Sequence, residues 1–556
     1  MNDATLLYAQ AELERGVIAL SGSRPSIGLA VDPARWSLAD ATLDDAWAAE
    51  VVAGQGTLVG SNPRAVLLGV YDLLRRWGCA FLRPGPLGEV FPRRARAELS
   101  ASYSLVASRR HRGLCMEGSL SLEHVLALID WMPKAGFNAY FVQFREGYNF
   151  FERWYGQPFD VEQCRALIPP LVEALKLRGM LYHAVGHGFT CEAYGVPGLG
   201  WMETKTPWPE EHRGALALRG TTRELVGEAP LITALCYSHP AVQERITEEG
   251  ARYAGDHPEI DYLHFWLDDG NGNKCQCENC TATRLADQYF EILNLLDAKL
   301  TERGLSTRVA FLAYHELLWP PQTQTLRNPA RFTFMFAPIQ RTTAQPLPTF
   351  AEAAELPVPG ALAEYRVVEP LFPKTNADLV AHLQAWNAVW KGDRFDFDYY
   401  LWHANDASQV EPAKVIFDDL RRQDALGLNG LINCQPNRLF AGTGVALWVM
   451  GRALTDGEAR FDDLVDEWNQ AAFGTGVDTN PLVILRSHAI RDFFERAVAL
   501  RHRVDAANGA DKQAAWDELQ AFTATHEAEF ALEFDRFCFL EKTAKTMKEL
   551  RQRGTL

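Results

Sequence analysis

The stretch Tyr262-Leu263-His264-Phe265-Trp266-Leu267-Asp268-Asp269-Gly270 sets the terms on which the rest of the chain is read. It is a continuous apolar run that stops at two adjacent carboxylates. Strands that are apolar on both faces belong inside a parallel sheet covered by helices. Acids at the carboxyl end of such a strand lie where barrel folds carry their chemistry. Just beyond comes Cys275-Gln276-Cys277-Glu278-Asn279-Cys280, a run of thiols dense enough to clasp a metal.

Working outward, similar runs recur at Gly113–Met116, Phe137–Phe144, Met180–Gly186, Val309–Ala313, Phe332–Ala337, Phe395–Leu401 and Gly430–Cys434. Between most of them lie helical periods: Leu122–Ala135, Gln163–Arg178, Ala241–Ala254, Ala282–Arg303, Ala377–Trp390 and Ala413–Leu426. Strand and helix in alternation predict an α/β fold, a (β/α)8 TIM barrel, over residues 107–450. A doubly wound open sheet is the alternative, but no glycine-rich phosphate fingerprint follows any strand. Residues 1–106 read as a small α+β domain, with a strand at Ser26–Val31, one clear helix opened by Asn62-Pro63, and a strand at Cys79–Leu82. Residues 451–556 read as a helical domain.

The chain has 556 residues, 47 % of them hydrophobic, with a formal net charge of −16. That balance disfavours nucleic acid and anionic membranes, which need a basic face. No stretch approaches the ~20 apolar residues of a membrane helix. The start, Met1-Asn2-Asp3-Ala4-Thr5, has neither the basic nor the apolar part of a leader. A cytoplasmic location is expected, or a periplasmic or secreted one if a leader has been removed. Ten cysteines over this length do not make a disulfide scaffold. Oligomeric state is left open, a homo-oligomer included.

On a barrel, functional residues follow the strand ends. The candidates there are Arg112, Glu117, His187, Asp268, Asp269, Tyr314, Glu316, Arg341, Tyr400, Trp402 and Asn437. Acids, forked cations and flat rings suit a polyol substrate. Glycoside hydrolysis commonly uses two carboxylates. Adjacent residues of a strand point to opposite sides, so Asp268 and Asp269 can serve one substrate only where Gly270-Asn271-Gly272 turns the chain. Two neighbouring acids then suit catalysis in which the sugar's own 2-acetamido oxygen attacks the anomeric carbon. A helix cap or a divalent-cation site would use the same pair differently.

Cys275, Cys277 and Cys280 lack a fourth zinc ligand. Cys191 is favoured, because its loop should neighbour theirs, with Cys236 and His187 as further candidates. Four protein ligands predict a structural Zn2+, and no organic cofactor is expected.

The first domain carries Gly69-Val70-Tyr71-Asp72-Leu73-Leu74, Gly78-Cys79-Ala80-Phe81-Leu82-Arg83-Pro84-Gly85 and Gly88-Glu89-Val90-Phe91-Pro92. The barrel carries Arg112-Gly113, Leu235-Cys236-Tyr237-Ser238-His239-Pro240 and the block from Trp266 to Cys280. Through these motifs the chain resembles a large bacterial glycoside hydrolase family, a group of domains of unknown function. That group is related to family 20 and family 84 β-N-acetylhexosaminidases and to family 67 α-glucuronidases. The family 84 resemblance implies that Asp268 orients the acetamido group and that Asp269 is the general acid. Family 20 has Asp-Glu at this place. Its arginine after the first strand implies a hydroxyl-binding role for Arg112. The expected activity is an exo-acting retaining β-N-acetylhexosaminidase on an oligosaccharide or glycoconjugate ending in N-acetylgalactosamine or N-acetylglucosamine. The alternatives are a uronidase, with Arg112 or Arg341 holding the sugar carboxylate, and a non-catalytic carbohydrate-binding protein.

Overall fold

The computed structural model describes residues 3–116, 121–145, 161–198, 207–401, 410–435, 444–476, 478–534 and 536–553. Its amino-terminal part opens with a helix, Ala4–Ser21, capped by the Asp3 carboxylate, which accepts from the N–H groups of Thr5 and Leu6. Gly22, at φ 72°, ends it. The expectation of one helix here is therefore corrected to two: Pro63–Arg76 is the second, with Asn62 as its cap.

Strands β1 (Ser26–Val31), β2 (Ala46–Val52) and β3 (Gln55–Gly60) precede that second helix. A two-strand ladder of β4 (Ala80–Phe81) and β5 (Glu89–Val90) follows it, and then β6 (Ala101–Val106). The larger sheet has the order β1-β3-β2-β6, with only β1 and β3 parallel.

Eight parallel strands then close into a barrel. They are β7 (His111–Met116), β8 (Ala139–Phe144), β9 (Leu181–His187), β10 (Tyr262–His264), β11 (Arg308–Ala313), β12 (Phe332–Phe336), β13 (Arg394–Asp398) and β14 (Gly430–Gln435). Closure rests on the β14–β7 pairing, six residue pairs from Gly430↔His111 to Gln435↔Met116. The open-sheet alternative is thereby ruled out. Side chains alternate between the two faces of the barrel wall. Leu114 and Phe334 pack outward against the helices, while Cys115, Phe141, Trp266, Leu312, Met335, Phe397 and Cys434 fill the lumen. Deeper in the lumen, His183 Nδ1 and His264 Nε2 share a hydrogen bond of 2.9 Å. Burial holds both imidazoles well below their ordinary pKa, so both are neutral.

At the barrel's amino-terminal face, Asp45 ties the two parts together. Its buried carboxylate accepts from Arg64 Nε (2.9 Å), Arg112 Nη2 (2.6 Å) and Asn138 Nδ2 (3.0 Å). Burial alone would raise the Asp45 pKa, but Arg64 and Arg112 outweigh it and hold the acid well below the usual carboxylate range.

Helix Val445–Thr455 is buried along its whole length and closes the last barrel unit. Beyond it, Phe461–Phe473, Pro481–Ala506, Gly509–His526 and Arg536–Gln552 are helical. The last three enclose a separate apolar core around Phe493, Phe494, Trp516 and Phe534. Buried Arg83 reaches into this region and donates to Ser487 Oγ (3.0 Å). Among the described residues, no helix is long and apolar enough to cross a membrane.

Candidate active site at the carboxyl-terminal mouth of the barrel

The mouth is shaped by an irregularity in β9. Val142 of β8 pairs with Ala184, but Phe144 pairs with His187, so β9 carries one extra residue. Val185 absorbs it at φ 54°, a strained conformation for a β-branched side chain. Beside it, Gly186 leaves room for the indole of Trp266. A Cβ there would lie 2.2 Å from a ring carbon. The bulge delivers His187, whose ring stacks on Phe144 and meets Trp266 edge-on, with centroids 4.8 Å apart. Its Nε2 lies 4.0 Å from Asp269 Oδ1. Burial lowers the His187 pKa, so the ring beside Asp269 is neutral.

The two acids that end the Tyr262-to-Asp269 run have different fates. The Asp269 side chain keeps 11 % of its surface exposed, whereas that of Asp268 is fully enclosed at 0 %. Asp268 Oδ1 accepts from the Tyr237 hydroxyl (2.8 Å), and Oδ2 accepts from Lys274 Nζ (2.6 Å) and the Gly270 N–H (3.2 Å). Lys274 also donates to the Gly270 carbonyl (2.6 Å) and lies 3.8 Å from Glu316 Oε2. Glu316 is just as enclosed, and its Oε1 accepts from the Gly272 N–H (2.6 Å). The loop after β10 is thus folded around a buried acid–lysine–acid group. Burial on its own would lower the Lys274 pKa, but Asp268 and Glu316 more than offset it. Both oxygens of Asp268, to which the family 84 resemblance gives an orienting role, are thus engaged within the protein.

Rings complete the mouth. Half-buried Tyr314 and Tyr399 pack on the lumen layer that contains Trp266 and Phe397. His315, at φ 50°, packs its ring at a tilt against Tyr314, with centroids 3.8 Å apart, and its Nδ1 accepts from Gln340 Nε2 (2.9 Å). From below, Gln143 Oε1 accepts from Cys115 Sγ (3.3 Å). A carboxylate beside a neutral imidazole, in a ring-walled opening, can exchange a proton with a sugar oxygen stacked on those rings.

Of the residues expected here, the structure brings together Asp268, Asp269, His187, Tyr314 and Glu316, the last enclosed rather than presented. Three others lie elsewhere. Arg112 is corrected to a structural role: β7 begins at His111, before the expected Gly113, so Arg112 sits at the strand's entrance. It faces outward and bonds Asp45, the Gly136 carbonyl and the Arg109 carbonyl. Arg341 is buried between Asp398 (2.5 Å) and Asp419 (2.9 Å), on the outer side of β13. Tyr400 joins that same group by donating to Asp419 (2.8 Å). Neither Arg341 nor Tyr400 reaches the mouth. Glu117, Trp402 and Asn437 lie outside the described residues.

Sequence reasoning missed Lys274 and Tyr237. Both had a signal: a single cation set between an acid pair and a cysteine cluster, and a tyrosine inside the Leu235–Pro240 block.

The cysteine cluster also differs from expectation. The Sγ atoms of Cys236, Cys275, Cys277 and Cys280 all lie within 4.8 Å of one another. Cys191 is not among them. It is buried in the short helix Phe189–Glu192, against Phe144, Val196 and Leu231, and its thiol donates to the Gly188 carbonyl. Elsewhere, a cavity of about 740 Å³ opens beside Arg110, Tyr262 and Arg308. These residues mark the strand entrances, so the cavity lies on the face opposite the acids.

No family model and no curated protein matches the chain. Its fold is shared with solved glycoside hydrolases. One is a family 115 4-O-methyl-α-glucuronidase with specificity for decorated arabinogalactans, at TM-score 0.54 and 11 % identity over 96 % of this chain and 76 % of that one. Another is a family 138 enzyme targeting pectin rhamnogalacturonan II, at TM-score 0.50 and 10 % identity over 89 % of this chain. This chain spans 54 % of the latter's length. A Streptomyces plicatus β-hexosaminidase aligns more loosely, at TM-score 0.44 and 12 % identity over 85 % of this chain and 90 % of that one. At these identities the likeness is one of fold.

Proposed function

We propose that this chain is a glycoside hydrolase that removes a terminal sugar, with Asp269 as the group that protonates the departing glycosidic oxygen. The observation that carries this reading is the placement of Asp269. It is a partly exposed carboxylate at the mouth of a closed parallel barrel, 4.0 Å from a neutral His187 and near the ring layer of Trp266, Tyr314 and Tyr399. The shared fold with glycoside hydrolases supports it.

The finer reading is an exo-acting retaining β-N-acetylhexosaminidase. A retaining mechanism with a protein nucleophile needs a second carboxylate about 5–5.5 Å from the acid. Of the acids at the ends of β10 and β11, Asp268 and Glu316 are enclosed around Lys274, and Asp269 alone is presented. A substrate that carries its own nucleophile suits such a site. The 2-acetamido oxygen would attack the anomeric carbon as Asp269 gives its proton to the leaving oxygen. Asp269 would then take a proton from the water that opens the cyclic intermediate.

The uronidase reading draws support from the fold shared with the family 115 glucuronidase. It requires a cation for the sugar carboxylate, yet both Arg112 and Arg341 are committed elsewhere.

A panel of nitrophenyl glycosides separates these readings. The β-N-acetylglucosaminide or β-N-acetylgalactosaminide should turn over, and the matching 2-hydroxy glycosides should not. Turnover of a glucuronide with the acetamido sugars inert would overturn the finer reading. Sugar binding with no turnover of any glycoside would leave a binding protein.

A further inference from the structure

We propose that Cys236, Cys275, Cys277 and Cys280 hold one structural zinc ion, and that this ion clamps the loop carrying Asp268 and Asp269. Zn–S bonds of about 2.3 Å in a regular tetrahedron place neighbouring sulfurs about 3.8 Å apart. Cys236 Sγ lies 3.7 Å from Cys277 Sγ and 3.9 Å from Cys280 Sγ. These match two of the six edges of a tetrathiolate, all four sulfurs lie within 4.8 Å of one another, and both distances are far longer than the ~2.05 Å of a disulfide. Sulfur ligands select zinc over the hard cations that carboxylates would hold.

The polar surroundings fit thiolate ligands. The Leu218 N–H donates to Cys275 Sγ (3.2 Å), and Ser238 Oγ lies 3.0 Å from Cys280 Sγ. The backbone is fixed on both sides. The Cys236 N–H donates to the Ala215 carbonyl (2.8 Å), and the Gln276 N–H donates to the Leu218 carbonyl (2.7 Å). Four protein ligands leave no position for water or substrate, so the ion is structural.

Its place in the chain gives the site its purpose. Cys236 belongs to the long excursion between β9 and β10, while the other three follow β10. Tyr237, next to Cys236, and Lys274, next to Cys275, are the two side chains that hold Asp268. One ion thus anchors both grips on that acid and fixes where Asp269 emerges. This assignment stands on sulfur geometry and holds whichever glycoside the mouth accepts.

The test is metal analysis of the full chain, purified without chelator from zinc-supplied medium. About one equivalent of zinc is expected, released as the four thiols react with a mercurial. Replacement by Co2+ should give thiolate-to-cobalt charge-transfer bands and the intense d–d bands of a tetrahedral site. Cys236→Ser should lose most of the zinc and melt several degrees lower. Cys191→Ser, which alters a buried thiol outside the cluster, should keep its full equivalent. If Cys236→Ser does not fold, the wild-type stoichiometry and the Cys191→Ser result still decide. Metal-free wild-type protein, iron in place of zinc, a Cys236 disulfide, or zinc lost from Cys191→Ser would each overturn the proposal.

Discussion

Replacing Lys274 by methionine removes the ammonium that two buried acids share while roughly keeping its volume. In the native protein, Nζ lies 2.6 Å from Asp268 Oδ2 and 3.8 Å from Glu316 Oε2, with the lysine side chain 6 % exposed and both acids at 0 %. Breaking a buried pair by removing one partner costs roughly 3–5 kcal/mol, because the other charge stays buried without compensation. Asp268 would keep the Tyr237 hydroxyl and the Gly270 N–H, and Glu316 would keep the Gly272 N–H. Those neutral donors compensate only in part, so the loss should fall within that range. For a chain of this size, with a urea slope of about 3 kcal/mol/M or more, the unfolding midpoint should drop by about 1 M. Tryptophan fluorescence can follow it, since Trp266 lies in the lumen beside this loop. The double variant Lys274→Met with Asp268→Asn should regain part of the loss, with a coupling of about 1–3 kcal/mol. An unmoved midpoint for Lys274→Met, or strictly additive losses, would refute the buried-pair account.

Further outcomes follow from the same geometry. Arg112→Ala should lower stability by about 1–3 kcal/mol by removing one of the two cations on buried Asp45, which keeps Arg64, and leave KM for an accepted glycoside unchanged; a raised KM with unchanged stability would return Arg112 to the substrate. Tyr237→Phe should cost about 1 kcal/mol, since it removes one neutral donor from Asp268, and a urea midpoint identical to wild type would contradict that contact. His183 and His264 have folded pKa values well below the ~6.5 of unfolded histidine, so stability is complete above that pH and falls as pH drops below it. The slope should be about 1.4 kcal/mol per pH unit for each of the two, and smaller by one group's share in His264→Gln; equal midpoints at pH 7.5 and 5.5 would show that these rings are charged or exposed.

The barrel was legible because its strands are buried on both faces, which turns each into an unbroken apolar run such as Val309–Ala313 between helices of clear 3.6-residue period. The helix Ala4–Ser21 carries that same period, in Leu6, Ala9, Leu13 and Val17, and the expectation of a single early helix overlooks it. In the site, the acid pair and three of the four clustered thiols stand close together in sequence and could be read there. The partners that distinguish Asp268 from Asp269 could not. Tyr237 arrives from 31 residues away, and only the folded excursion between β9 and β10 brings it to Asp268. The same excursion explains the fourth cysteine. Cys191 and Cys236 both follow β9, but the Leu216–Leu235 bridge turns the chain back so that Cys236, not Cys191, meets the loop after β10. Arg341 illustrates the converse: it stands where a rim residue is expected, and Asp398 and Asp419 draw it outward.

The most direct test of the central claim is the leaving-group dependence of Asp269→Asn on whichever glycoside the wild type accepts. A group that donates a proton to the departing oxygen matters most when that oxygen is a poor leaving group. The account predicts a loss of about 10²–10⁴-fold on a disaccharide or alkyl glycoside and a much smaller loss on a nitrophenyl glycoside. Equal losses across leaving groups, or full activity on all of them, would contradict the assignment of Asp269 as the acid.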